Sequence, residues 1–351
     1  MIRAARTNDP GAARRHLDRL AKPPGSLGRL EDLAARLAAI GGTLAPATRP
    51  RRLVLFAADH GVAAEGVTMW PSAVTGVMIG SILGGGAACA VLAANADADL
   101  RLVDVGALAD PHPERPGYRV ARVGPGTANL ARGPAMTPAE FDRALAVGRD
   151  EATMAHADGM AVVAAGELGI GNTTAASCLA ALLGEIPVDR AVGRGAGADD
   201  ATLARKRAVV AAATDRARGQ LADDPRGAIA AVAGFEIVAM AGFFVEAHRL
   251  GLTIVLVGMI AAAAALIAEV LAPGTAGSMV AAHRGAEPAH GAMLARLGLD
   301  PLLGDWQLRL GEGTGALLAL PLLDAAAALI AGMDTLDDLG IAPSEATDAD
   351  A

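Results

Sequence analysis

Glu312 stands in the run Arg309-Leu310-Gly311-Glu312-Gly313-Thr314-Gly315, a carboxylate with glycine on both sides. Flanking glycines let the backbone take positive φ and let other atoms come close. The apolar stretch Ala316 to Leu320 would hold such a loop against a core. Burial there would raise the carboxyl pKa toward that of a working general base. The competing reading is a glutamate in a turn before a helix, favoured only by the helix dipole.

Two glycine loops could serve this carboxylate. Gly166 to Thr174 follows a predicted strand and opens the predicted helix Ala175 to Leu183. Free N–H groups at a helix N-terminus, approached through glycines, form an anion site. The run has no P-loop lysine and no dinucleotide fingerprint, so a single phosphate or phosphoribosyl group fits it better. The alternative is an ordinary helix start, with Asn172 or Thr173 as N-cap. Gly193 to Asp200 is the second loop, ahead of a helix containing Lys206. Arg194 or Lys206 could neutralise a phosphate there; a surface loop with a capping Asp is the alternative. Asp59-His60 ends a strand without a third ligand or a nucleophile elbow, so His60 reads as a hydrogen-bonded structural residue. His283 and His290 lack zinc-helix spacing, and no metal site is expected.

The elements that must position these residues are legible as β-rich runs, each followed by a glycine turn and an Ala/Leu helix pattern. The runs are 52–57, 100–105, 160–165 and 253–257. Strands alternating with helices predict βαβ units and a mainly parallel sheet with helices on both faces, an α/β fold. Ligands in such sheets sit at the carboxyl ends of the strands, where the loops above fall. Pro10 to Leu20, Leu30 to Ile40 and Leu317 to Ile330, with Pro321 near its start, read as terminal helices that could form a small satellite domain.

Composition excludes several functions. With 53% hydrophobic and 19% charged residues, the 351-residue chain is a packed globular protein. Glycine at 43 residues against 2% aromatics favours close approach between helices. A net charge of −8 without a basic stripe argues against nucleic acid. The arginines Arg14, Arg15, Arg19, Arg49, Arg51 and Arg52 read as a solvated face. Cys89 and Cys178, far apart in apolar segments, read as buried free thiols in a reducing compartment. Met1 to Arg15 lacks a signal-peptide core. The uncharged stretch Gly251 to Ala268 reads as a buried strand entering a buried helix rather than a membrane span. A cytoplasmic enzyme with no membrane partner is therefore expected.

Taken together, the runs resemble the nicotinate-nucleotide:dimethylbenzimidazole phosphoribosyltransferases, the family that assembles the lower ligand of cobalamin. The resemblance runs from Lys22-Pro-Pro-Gly-Ser-Leu-Gly-Arg-Leu-Glu31 to Gly332. It includes Ala58-Asp-His-Gly-Val62 with Glu65-Gly-Val67, Pro134-Ala-Met-Thr137, Gly169-Ile-Gly-Asn-Thr-Thr174 and Gly195-Ala-Gly197 with Asp199. It continues through Gly234-Phe-Glu-Ile237, Ala239-Met-Ala-Gly242 and Arg309 to Ala316. Each run alone is weak; their order and spread are specific.

The resemblance implies a Rossmann-like large domain over 46–285 that binds nucleotide and base. It implies a small helical domain from 1–45 with 286–343 that carries the Glu312 loop, and a homodimer; the short acidic tail 344–351 reads on its own residues as disordered. It places the catalytic base on Glu312. Nucleotide phosphate and ribose fall on Glu167, Gly169, Gly171, Asn172, Thr173, Gly195 and Lys206. The base pocket falls on Ser72, Met78, Ser81 and Leu310. No metal or cofactor is implied, and the substrates are nicotinate mononucleotide and an azole base. The departures are Val77, Ser81 and Ile82, near which the family usually has Gln, Asn and Phe. Val257 stands for the usual Asp, and Gly285 for the usual Ser. The acceptor base is thus open: 5,6-dimethylbenzimidazole, adenine, another benzimidazole or a phenol. A non-catalytic nucleotide-binding relative is a further reading, and a dehydrogenase is last because the dinucleotide fingerprint is missing.

Overall fold

Strand Arg51–Ala58 is buried along its whole length, which requires cover on both faces. A parallel sheet with layers on each side provides it. The computed structural model describes residues 11–195 and 197–341; the tail expected over 344–351 lies outside them. The chain divides into two compact units, residues 49–319 and residues 1–48 with 320–351.

In chain order the helices begin with α1 (Ala12–Arg19) and α2 (Arg29–Gly41). Then follow β1 (Arg51–Ala58), α3 (Ala73–Leu83), α4 (Ala88–Asn95), β2 (Asp99–Gly106), β3 (Tyr118–Val120), α5 (Pro138–Ala157) and β4 (Val162–Leu168). Next come α6 (Asn172–Leu182), α7 (Val188–Ala191), α8 (Asp200–Arg218), α9 (Pro225–Ala230), α10 (Phe235–Arg249), β5 (Thr253–Leu256) and α11 (Gly258–Leu271). The last elements are β6 (Met279–Ala281), β7 (His283–Arg284), α12 (His290–Arg296), β8 (Leu303–Asp305) and α13 (Thr314–Gly332).

The six-stranded sheet is parallel throughout, in the order β3-β2-β1-β4-β5-β6. On β1, Val54, Phe56 and Ala58 enter the main hydrophobic core with Phe235, Phe243 and Phe244 of α10, while Leu53, Leu55 and Ala57 are buried on the other face. Helix α10 packs on β1, β2, β4 and β5, and α5 packs on α10. That last contact depends on small residues. A Cβ on Gly148 would overlap the Ala239 carbonyl oxygen, and one on Gly242 would overlap that of Leu145.

Several expectations need correction. β4 runs on to Leu168, so Gly166 and Glu167 lie in the strand rather than in the loop, paired with Leu55 and Phe56. Arg51 and Arg52 are buried in β1 rather than solvated. Arg52 reaches Asp99 at 2.5 Å and Asp158 at 2.8 Å, and Arg51 donates to the Ala96 carbonyl at 3.0 Å. Helix α13 starts at Thr314, directly after Gly313, so Pro321 lies inside it. The stretch 286–319 belongs to the larger unit, not the smaller. β8 pairs with β7, and Gly313 approaches Leu53 of β1 and Gly166 of β4 too closely to admit side chains. The stretch Gly251 to Ala268, by contrast, is as expected a buried strand, β5, followed by the buried helix α11. Two other stretches, 73–95 and Thr314–Gly332, are long and apolar enough to cross a membrane by composition. The first is broken into α3 and α4, each shorter than the ~20 residues a span requires.

In the smaller unit the two chain ends are tied together. Leu20 bridges Thr335, the Ala21 amide donates to the Asp334 carbonyl at 2.8 Å, and His16 bonds the Ile330 carbonyl at 2.9 Å. Lys22 and Glu31 form a buried ion pair at 2.8 Å.

Because α5 and α10 meet through glycine, Gly148→Ala is expected to destabilise the protein by ~1–3 kcal/mol through overpacking. Urea unfolding should show this against Gly133→Ala, where a Cβ would meet nothing within 4 Å.

Candidate active site

The chain reverses its direction of winding between β1 and β4, the place where open parallel sheets hold ligands. The turn after β1 carries Asp59 and His60; the end of β4 carries Glu167, and the following turn leads into α6. Asp59 is fully buried and accepts from the Thr75 hydroxyl at 2.7 Å and the Leu108 amide at 2.8 Å. The Thr75 hydroxyl oxygen in turn accepts from the Ile170 amide at 3.2 Å, which ties α3 to the turn after β4. Burial pushes the Asp59 carboxyl up, and these donors offset only part of it.

His60 lies under that turn and pairs with Glu236 of α10, Nε2 to Oε1 at 2.8 Å, both side chains fully buried. Burial works against the imidazolium, but the Glu236 carboxylate beside it outweighs burial and raises the His60 pKa. The structural reading of His60 thus gains a partner that spacing did not reveal.

Glu312 is reached from the opposite side. Gly311, Glu312 and Gly313 have φ of +83°, +54° and +74°. A non-glycine residue with positive φ is uncommon and costs on the order of 1 kcal/mol. Here the conformation turns the carboxylate inward, and Glu312 is only 5% exposed. Glycine is required at 311 because a Cβ there would overlap the Glu167 carboxylate. That carboxylate accepts the Asn172 side-chain amide. Burial, followed by the like charges of Glu236 and Glu312, raises Glu167 to about 8. Near neutral pH it is therefore mostly a neutral acid. Glu312 is also raised, by burial, against the opposing thiol and backbone amide of Cys89.

These residues line a cavity of about 190 Å³. Glu167, Gly169, Asn172, Thr173, Gly195, Leu310 and Glu312 all lie in its wall, joined by Val257, Met259, Ile260, His283, Gly285, Glu287 and His290. At the start of α6 the N-cap is Gly171, with φ +99° and no side-chain cap. The expectation of Asn172 or Thr173 as N-cap is thereby corrected: Asn172 is the first helical residue and donates to Glu167 instead. The positive end of α6 is left facing the cavity. Behind Thr173 sits Lys206, 1% exposed, donating to the Thr173 hydroxyl at 2.8 Å and the Gly193 carbonyl at 3.3 Å. Burial brings Lys206 down to about 8, with Glu287 opposing. Glu287 accepts the Gly195 amide at 3.0 Å and so holds the second glycine loop to the cavity wall. Arg194 points elsewhere, to Asp200 at 2.6 Å and the Ala198 carbonyl, while Asp199 caps α8 through the Thr202 amide at 2.8 Å.

Three expected base-pocket residues are not brought into this wall. Ser72, Met78 and Ser81 lie just before and along α3, partly exposed, and among the departures Val77 is 70% exposed while Ile82 is in the core. Cys89, Glu236 and Glu287 were not singled out as site residues by spacing. Glu236 and Glu287 lie inside recognisable runs, Gly234-Phe-Glu-Ile237 and His283 to His290. Cys89 had no signal beyond its apolar surroundings.

Comparison with known proteins agrees with this geometry. A family described as phosphoribosyltransferase matches residues 2–341. The nicotinate-nucleotide–dimethylbenzimidazole phosphoribosyltransferase of Thermus thermophilus is 46% identical, over 94% of this chain and 97% of the relative. Its namesake in Pseudomonas putida is 45% identical, over 94% of this chain and 93% of the relative. The crystal structure of CobT from Thermus thermophilus superposes with a TM-score of 0.90 at 45% identity, covering 95% of this chain and 99% of that one. With a parallel sheet in Rossmann order, a glycine turn at its switch point and a buried carboxylate over that turn, the chain belongs to this phosphoribosyltransferase family.

Proposed function

We propose that the protein transfers the phosphoribosyl group of nicotinate mononucleotide to 5,6-dimethylbenzimidazole or a related azole, giving α-ribazole 5′-phosphate and nicotinate. The observation that carries this reading is the pairing of one buried, presented carboxylate, Glu312, with an uncapped helix start in the same cavity. The relatives' printed names support the choice of substrates.

In this reaction the ribosyl phosphate rests at the start of α6, near Asn172 and Thr173, with Lys206 behind supplying positive charge. Nicotinate leaves from C1′ with the electron pair of the glycosidic bond. Its ring nitrogen is cationic beforehand, so it departs neutral at nitrogen and needs no proton. The transition state is oxocarbenium-like. One azole nitrogen attacks C1′ from the opposite face, which converts the β-nucleotide to an α-ribotide. The other azole N–H passes its proton to Glu312, so no cation remains on the product base. Glu167, protonated near neutral pH, puts no second negative charge beside Glu312 while it accepts the Asn172 side-chain amide. The apolar wall of Val257, Met259, Ile260, Leu308 and Leu310 suits the flat faces of the two heterocycles. The chemistry of these side chains is complete without a cofactor.

A cytoplasmic homodimer completes the proposal. The support for a dimer is a set of large apolar side chains left exposed on neighbouring segments: Met69 at 54%, Trp70 at 50%, Val77 at 70% and Leu108 at 52%. Such clusters mark interaction surfaces.

Product analysis by mass spectrometry with nicotinate mononucleotide and a panel of bases should show α-ribazole 5′-phosphate, and will rank the acceptors. Glu312→Gln is expected to lower kcat by about 10²–10⁴-fold, the usual weight of general-base catalysis, with little change in the nucleotide KM. Near-full turnover in that variant would remove Glu312 from its role. The nucleotide KM should rise above about pH 8 as Lys206 loses its proton. In Lys206→Met it should be high at all pH values and lack that rise.

A further inference from the structure

Helix α3 and the turn that opens α6 lie far apart in the sequence, yet a chain of hydrogen bonds carries both to one buried carboxylate. The Ile170 amide donates to the Thr75 hydroxyl oxygen at 3.2 Å, and that hydroxyl donates to Asp59 Oδ1 at 2.7 Å. Asp59 Oδ2 accepts the Leu108 amide at 2.8 Å. Thr75 and Asp59 are both fully buried, so water does not compete for these bonds. The one hydroxyl hydrogen goes to the carboxylate, which leaves the oxygen lone pairs to the amide. A hydroxyl polarised by an anion accepts more strongly than one that is not. The Asp59 backbone is fixed as well: its amide donates to the Gly106 carbonyl and its carbonyl accepts the Thr127 amide, both at 3.0 Å.

Ile170 lines the cavity and precedes Gly171, the N-cap of α6. The residues on either side of it are glycines, whose backbone is intrinsically free. Side chains cannot be added to stiffen them: a Cβ on Gly169 would overlap the Ala58 carbonyl oxygen, and Gly171 has φ +99°. We propose that Thr75, anchored by Asp59, is the positioning residue for this turn. By taking the Ile170 amide it fixes the peptide planes between Gly169 and Gly171, so that the start of α6 is set for a 5′-phosphate before the nucleotide binds. This rests on the reading that the ribosyl phosphate lies at the start of α6. Thr75 does not line the cavity, so it acts through Ile170 and not by contact with substrate. Preorganisation of this kind raises affinity by removing the ordering that binding would otherwise require.

The test compares nicotinate mononucleotide with nicotinate riboside, the same molecule without its phosphate. The riboside inhibition constant, measured as a competitor of the transfer reaction, divided by the mononucleotide KM gives each protein a phosphate preference. Thr75→Val removes the hydroxyl at nearly constant shape. It should lose about tenfold of the wild-type preference, the weight of one hydrogen bond to a charged group. Its kcat at saturation should stay within about threefold of wild type, since phosphate anchoring is shared by ground and transition states. Thr75→Ser keeps the hydroxyl and should keep the preference. A purely structural role would lower the active fraction, and with it kcat, and leave the preference where it was. Should the valine protein not fold, Thr75→Ala is read in the same way. An unchanged preference in whichever of the two folds would overturn the proposal, as would an equal loss in the serine protein. If wild type itself does not distinguish the mononucleotide from the riboside, the reading of the α6 site fails. If wild type distinguishes them and the valine protein does so equally well, only this inference fails.

Discussion

Three glutamates, Glu167, Glu236 and Glu312, are gathered around one turn of the chain: Glu236 is fully buried, Glu312 nearly so and Glu167 partly. A buried carboxylate is costly unless it is paired, hydrogen-bonded or protonated. Each of the three has a different remedy. Glu236 has His60, Glu167 is held protonated near neutral pH and accepts the Asn172 amide, and Glu312 is pushed up by burial. The result is a cavity whose acids are kept apart in charge state by their surroundings, an arrangement that separates acid and base roles at one pH. The rest of the structure supplies these remedies.

The sheet supplies them by topology. Reversal of winding at β1 and β4 brings Asp59-His60 and the Glu167 strand end side by side, and α10 carries Glu236 to them from one face. The approach of Gly311–Gly313 to Gly166 leaves no room for side chains, so the Glu312 loop is seated on β4 by backbone contact. The start of α6 then does the electrostatic work, facing the cavity with no side-chain cap. Lys206, withdrawn behind Thr173, is kept from solvent and holds its charge next to the start of α6.

Much of this was legible in the residues. The β-rich runs located β1, β2, β4 and β5, and the flanking glycines marked Glu312 before any geometry was known. The order of the motifs pointed to the family that the comparisons support. What was not legible was long-range. Asn172 looked like a helix cap because its neighbours in sequence allow it; Glu167, brought close in space, takes its amide instead. Cys89 looked inert because nothing near it in the chain is polar; burial and then the charge of Glu312, far off in sequence, push its thiol up. The stretch 286–319 looked like part of a terminal helical domain, but the pairing of β8 with β7 binds it to the large unit. Arg51 and Arg52 looked solvated because arginine usually is, yet Asp99 and Asp158 draw Arg52 into the edge of β1.

The central claim is that one cavity holds a ribosyl phosphate at the start of α6 and an azole nitrogen at Glu312. A crystal structure of the protein with α-ribazole 5′-phosphate bound tests it directly. The account predicts the phosphate within hydrogen-bond distance of the backbone amides at the beginning of α6. It also predicts the free azole nitrogen within hydrogen-bond distance of the Glu312 carboxylate. A ribotide whose phosphate lies away from α6, or whose azole nitrogen faces another group, would contradict it.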